Sequence, residues 1–219
     1  MPDRSFKIND VFISYSRQNL DFAKKLYHHL MEEDLEVWFD QENIPLAVDF
    51  LHEIESGINL SHNFIFIISP ASILSEYCLI EIKHALKQGK RIIPVLYEEP
   101  DEFTLSKAHP EIKKLNWIFF REELDNFHNS LLGLLDTLDQ HAEYVSMHTH
   151  LLNKAMFWSR NQKRSESLLM EEDRIEAEAW LKTTFDNDIP PCDAVALQCE
   201  FICESEKYAK LGMTEVFIC

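Results

Sequence analysis

The sequence predicts an α/β protein, with a five-stranded parallel sheet and helices on both faces over residues 6–141 and a helical extension over residues 142–219. Three observations carry this. Short apolar runs alternate with stretches of helical spacing through residues 1–140, the pattern of strand–helix–strand units that close only as a parallel sheet. Within those runs apolar and polar residues do not alternate, which implies burial on both faces. After about residue 141 convincing strand signals stop and three helical stretches follow.

The elements come in order. Val11-Phe12-Ile13 is a short strand that gives way to the polar Ser14-Tyr15-Ser16. Residues 19–33 place Leu20, Phe22, Ala23, Leu26, Leu30 and Met31 at helical spacing. Val37-Trp38-Phe39 is a second strand, stopped by Asp40, and residues 48–60 form a helix through Phe50, Leu51, Ile54 and Ile58. Phe64 to Ile68 is the third strand; Ser75 to Lys87 is a helix with Gly89 as its stop signal. Ile92 to Leu96 is the fourth strand, and its internal Pro94 points to an irregularity. Trp117 to Phe120 is the fifth, followed by a helix from about Glu122 to Leu138. In the extension, residues 143–158, 172–184 and 193–210 read as helices, the middle one amphipathic through Ile175, Ala179 and Trp180; only Val216-Phe217-Ile218 has a strand's composition. In a sheet of this kind ligands meet the loops at the carboxyl ends of the strands, here Tyr15-Ser16-Arg17, Asp40 to Phe50 and Ser69-Pro70.

Composition removes several functions. The chain has 219 residues, 46% hydrophobic, with a net charge of −17, so it folds around a core and repels phosphate backbones and anionic membrane surfaces. Neither nucleic acid nor membrane is an expected partner. Four scattered glycines cannot build a Gly-rich phosphate cradle. The longest apolar run, Phe64 to Ile68, is far too short to span a bilayer. The start MPDRSFKINDVF shows no signal peptide, and five cysteines (an odd number) read as reduced thiols in a cytoplasmic protein. His141, His148 and His150 have no Cys or carboxylate at ligand spacing, so no metal is expected. Cys199 and Cys203, one helical turn apart, read as small packing groups. A phospho-receiver would need acidic residues after the first strand and an aspartate ending the third, where this chain has Ser14 and Ser69.

Five segments in order resemble the TIR (Toll/interleukin-1 receptor/resistance) domain family, whose sheet is flavodoxin-like. They are Asp10 to Ser16, Val37 to Asp40 with Ile44-Pro45, Phe64 to Pro70, Ser75 to Ile82, and Lys90 to Val95. Leu115 to Phe120, His148 to Leu152 and Ala177 to Leu181 are similar to bacterial, often cyanobacterial, TIR proteins, in which the helical segment joins the TIR domain to further modules such as WD repeats. The family divides. Some members hydrolyse or cyclise NAD⁺ at the nicotinamide–ribose bond, often after assembly and frequently in anti-phage defence; others are scaffolds that bind further TIR domains. The resemblance implies the first class here, with NAD⁺ as substrate and no cofactor; the alternative is a non-enzymatic adaptor acting through TIR–TIR contacts. A flavodoxin-like or deoxyribosyltransferase-like enzyme would share the sheet and a glutamate, and would bind flavin or nucleoside instead.

Cleaving that bond develops positive charge on the ribose, which a carboxylate can stabilise. The resemblance assigns this role to Glu81. Tyr77, where enzymatic relatives often carry Trp, sits four residues earlier on the same helical face and offers an aromatic platform. Without the resemblance, Glu81 reads as a solvated glutamate pairing Lys83 or Lys87. Tyr15, Ser16 and Arg17 match the segment that contacts the nucleotide; Arg17 suits a pyrophosphate or, equally, a surface pair with Asp21. Asp40 faces the same crevice or caps a turn, and Phe50 lines the nicotinamide pocket or belongs to the core of its helix. The so-called BB loop lacks the usual glycine and reads Pro45-Leu46-Ala47-Val48-Asp49-Phe50, a stiffer and more apolar segment whose Leu46 and Val48 suit self-association.

Overall fold

The computed structural model describes residues 7–39, 50–185 and 189–216, without the side chains of Phe50 and residues 212–216. The chain divides into two compact units, residues 1–142 and 143–219. Asp40, Pro45, Leu46 and Val48 lie outside the described residues.

In the first unit β1 (Asn9–Ser14) leads through a 3-10 turn (Arg17–Asn19) into α1 (Leu20–Glu32) and β2 (Val37–Trp38). Then follow α2 (Phe50–Asn59), β3 (Ser61–Ile68), α3 (Pro70–Ile73), α4 (Glu76–Lys87) and β4 (Arg91–Leu96). The unit ends with α5 (Glu102–Lys107), α6 (Pro110–Lys114), β5 (Ile118–Phe119) and α7 (Phe127–Asp139). The five strands are all parallel, in the order β2-β1-β3-β4-β5. Gly89, at φ 64°, ends α4 in the left-handed region where glycine is unstrained.

Alternate strand residues feed two separate cores, which is why the strands carry no polar alternation. Val11, Ile13, Ile65, Ile67, Ile93 and Val95 pack against α1 and α7, through Phe22, Leu26, Leu30, Leu131 and Leu134. Phe12, Phe64, Phe66, Ile68 and Leu96 pack against α2 and α4, through Ile54, Ile58, Cys78, Ile82 and Ala85. The Phe12 ring stacks on Trp38 at 4.4 Å and on Phe64 at 5.4 Å. Gly57 of α2 lies flat on Trp38: a Cβ there would stand 2.6 Å from the indole.

Several elements differ from the sequence reading. Short α3, α5 and α6 have four to six residues, below the length at which a periodicity shows, although their caps Ser69, Asp101 and His109 are legible afterwards. The last helix starts at Phe127 and not near Glu122, because the intervening residues form a turn. Glu123 takes φ 64°, the Arg121 amide donates to Asp125, and Asn126 caps the helix. β4 runs unbroken through Pro94, opposite Phe66; β5 pairs only with Val95 and Leu96, so the missing N–H falls where β4 still has a free edge.

The second unit holds α8 (Ala142–Arg160), a 3-10 turn (Ser165–Ser167), α9 (Glu171–Leu181) and α10 (Ala196–Val216). Its own core is Leu151, Ala155, Trp158, Leu169, Ala177, Trp180, Phe201 and Ile202. Trp180 donates through Nε1 to the Tyr144 carbonyl at 3.0 Å, and a half-buried ion pair, Arg174–Glu206, ties α9 to α10. The inward face of α9 is Ala177 and Trp180, while Ile175 and Ala179 are exposed. Val216 closes a helix; Phe217 and Ile218 lie outside the described residues. Of the two α10 cysteines, Cys199 is half-buried and Cys203 exposed, so only the first packs.

Candidate functional site

The strand order fixes where a ligand can sit. The chain passes from β1 outward to β2 and then crosses back to β3, so the order reverses between β1 and β3, and the crevice lies beyond their carboxyl ends. β1 ends at Ser14 and β3 at Ile68, followed by Ser69. Both serines are buried, at 1% and 0% exposure.

Glu81 reaches this point. Its helix, α4, is capped by Ser75, whose Oγ accepts from the Cys78 amide, and packs inward through Cys78, Ile82 and Ala85. Glu81 lies on the flank of that stripe, half-buried, and its Oε2 accepts a short hydrogen bond (2.5 Å) from Ser14 Oγ. The carboxylate is therefore turned toward the sheet, away from the exposed side that carries Lys83 and Lys87. Cys78 lies in the same corner. Burial first, and then the neighbouring Glu81, push its thiol up to about 12, so it stays protonated and is no nucleophile.

The loop after β1 is pinned to the loop after β3. Ser16 Oγ caps the 3-10 turn by accepting from the Gln18 amide. Ser69 Oγ donates to Asn19 Oδ1 at 2.6 Å and accepts from the Ser72 amide at 3.0 Å, while Ser72 Oγ accepts from the Ser69 amide. Asn19 and Ser72 are buried with them. Buried hydrogen bonds thus tie Asn19, Ser69 and Ser72 together and hold the two loops in fixed register.

The other candidates fall into place unevenly. Ser16 and Arg17 follow the end of β1, Ser16 buried and Arg17 exposed. The Tyr15 ring turns into the core and stacks on Phe39 at 5.1 Å. Tyr77, one turn before Glu81, is 60% exposed, so its ring is accessible beside the carboxylate. Phe50 opens α2. His148 is buried in the second unit, its Nε2 donating to the Asp193 carbonyl at 3.0 Å. Among the described residues no group of three or more His, Cys, Asp or Glu is arranged to hold a metal ion. The sequence reading missed Ser14 and Asn19 as site residues. A lone serine ending an apolar run was the available signal, since a buried hydroxyl there needs a partner.

The family model described as TIR domain matches residues 11–135. No curated protein matches the chain. Among solved structures the chain is similar to the TIR domain of the Toll-related receptor TRR-2 from Hydra magnipapillata, at 18% identity and a TM-score of 0.51, over 59% of this chain and 98% of that one. It is also similar to the TIR domains of the activated Roq1 resistosome (15% identity, TM-score 0.49, 58% and 98% covered). A metazoan TIR-STING receptor from C. gigas follows, at 20% identity and a TM-score of 0.48, with 61% and 41% covered. At such identities the likeness is one of fold.

Proposed function

The chain belongs to the TIR domain family, and from that premise we propose that it cleaves NAD⁺ at the nicotinamide–ribose bond, with Glu81 as the catalytic carboxylate. The observation that supports this reading is the hydrogen bond from Ser14 to Glu81 at the switch point of the sheet. A glutamate serving only as a solvated helix residue has no need of a buried hydroxyl 67 positions away. As the C1′–N bond breaks, the bonding electrons leave with nicotinamide, and C1′ takes on oxocarbenium character. Glu81 lies against the ribose, stabilises that charge and accepts from the ribose hydroxyls. Water attacks C1′ and releases a proton to the solvent, giving ADP-ribose; attack by an atom of the adenosine moiety gives a cyclic product. Tyr77 stacks beside the ribose, while Ser16 and Arg17 meet the pyrophosphate. In this reading Asp40 and Phe50 are the further candidates for contact with the substrate.

Ser14 is a positioning residue in this scheme. Ser14→Ala is expected to lower kcat about tenfold, the equivalent of ~1.4 kcal/mol, with KM little changed, and Ser14→Thr to restore most of it. Equal rates in all three proteins would remove Ser14 from the scheme.

Activity is gated by self-association in this reading, through Pro45, Leu46 and Val48, and serves signalling or antiviral defence. Nicotinamide release followed across protein concentration is the test, with a rate rising more steeply than linearly as the expected result. Absence of release even under crowding would favour the adaptor, a TIR scaffold that recruits other TIR chains. Among the described residues no helix is long and apolar enough to cross a membrane.

A further inference from the structure

A cavity of about 270 Å³ opens at the carboxyl ends of β4 and β5, on the face of the sheet covered by α1 and α7. It is separate from the corner that holds Glu81, which lies on α4 against the opposite face.

Its wall is aromatic. Phe22 stacks on Tyr97 at 4.3 Å, and Phe120 meets Phe127 edge-to-face at 5.3 Å. Its rim is charged and mostly acidic, with Asp21, Glu122, Glu123 and Asp125 against Lys25 and Arg121. The arginine is already neutralised: its guanidinium bonds Asp125 at 2.9 and 3.1 Å and Glu99 at 2.6 Å. Three rim carboxylates then face a single lysine. The Tyr97 hydroxyl registers the resulting field. Burial raises its pKa first, and Glu122, Glu98 and Asp21 push it further up.

Lys25 shows what this wall accepts. Its Nζ lies 4.0 Å from the centroid of the Phe127 ring, so the chain's own ammonium occupies the π-face beside the cavity. Lys25 is an exposed side chain on α1, held there by a contact that another cation can replace. Anions are repelled by the rim, and a neutral ligand leaves the carboxylates unused.

We propose that this cavity is a binding site for a small organic ammonium ion, which displaces Lys25 from the Phe127 ring and sits between that ring and the carboxylates of Asp21 and Glu122. The bound cation lies over the aromatic face while the acids neutralise it, the arrangement used for alkylammonium recognition.

Choline and its uncharged isostere 3,3-dimethylbutan-1-ol separate charge from shape. Each is titrated into the full chain, at fixed ionic strength and to concentrations on the order of 10 mM, while the Phe and Tyr ring resonances are followed by NMR. Choline is expected to shift these resonances saturably and to bind at least about tenfold more tightly than the alcohol. Lys25→Ala, which removes the resident cation from an exposed helical position, should tighten choline binding several-fold. Asp21→Asn combined with Glu122→Gln should weaken it by a similar factor or more. The proposal is overturned if choline causes no saturable shift, if the alcohol binds equally well, or if Lys25→Ala leaves the affinity unchanged or weaker. The titration involves no NAD⁺, so its failure leaves the proposed reaction standing, and failure of that reaction leaves this site standing.

Discussion

Glu81→Ala is expected to lower kcat/KM for nicotinamide release from NAD⁺ about a thousandfold, the equivalent of ~4 kcal/mol of transition-state stabilisation. The loss falls on the chemical step because the carboxylate faces charge that exists only as the bond to nicotinamide breaks. The alanine variant also strands the Ser14 hydroxyl, which is 1% exposed, at a stability cost of about 1 kcal/mol. Glu81→Gln avoids this, since its amide oxygen can still accept from Ser14 Oγ while the charge is gone. Both variants should therefore be inactive, and the glutamine variant should melt with the wild type. A glutamine variant that retained a tenth or more of the activity would take Glu81 out of the chemistry.

Arg91→Met should produce the largest loss of stability. Arg91 is buried at the start of β4, where its Nε donates to Asn63 Oδ1 on the neighbouring strand. Its two terminal nitrogens donate to the Leu138 carbonyl, at 2.8 Å, and to the Gln140 carbonyl, at the end of α7. One side chain thus joins the central sheet to the carboxyl terminus of the helix that covers it, with its charge at the negative end of the helix dipole. Methionine fills the space of the alkyl stem and leaves three acceptors without this donor. A destabilisation of about 3 kcal/mol follows, and a fall in melting temperature of roughly 6–12 °C for a chain of this size. Arg91→Lys restores a single donor and should recover only part of it. A melting temperature within about 2 °C of wild type in the methionine variant would show that the carbonyls find other partners.

How far the sequence carried the fold can be seen in its elements. Strands β1 and β3 were legible because burial on both faces leaves an uninterrupted apolar run, and α1 and α4 because their apolar spacing is long enough to show a period. The family resemblance rested on the same segments, and the match over residues 11–135 shares them. Short α3, α5 and α6 were not legible, since four to six residues give no period. The left-handed Glu123 displaced the start of α7 because nothing in its residue type announces φ 64°. At the site, the resemblance singled out Glu81, but its partner could not be found by spacing. Ser14 and Glu81 are 67 residues apart, and only the register of β1 against β3, with α4 folded back over them, brings them together. The same holds for Ser69 and Asn19, 50 residues apart. Ile175 shows the opposite error: it fits a helical stripe in sequence yet is exposed, because α9 turns Ala177 and Trp180 inward.

The central claim is that the glutamate held by Ser14 drives cleavage of the nicotinamide–ribose bond. Proton NMR of NAD⁺ incubated with concentrated wild-type protein and, in parallel, with Glu81→Gln reads free nicotinamide directly and needs no assumption about the ribosyl product. The account predicts nicotinamide accumulating with wild type and none above the buffer control with Glu81→Gln, whose folded spectrum is unchanged. Nicotinamide released equally by both proteins, or by neither at any concentration reached, would contradict it.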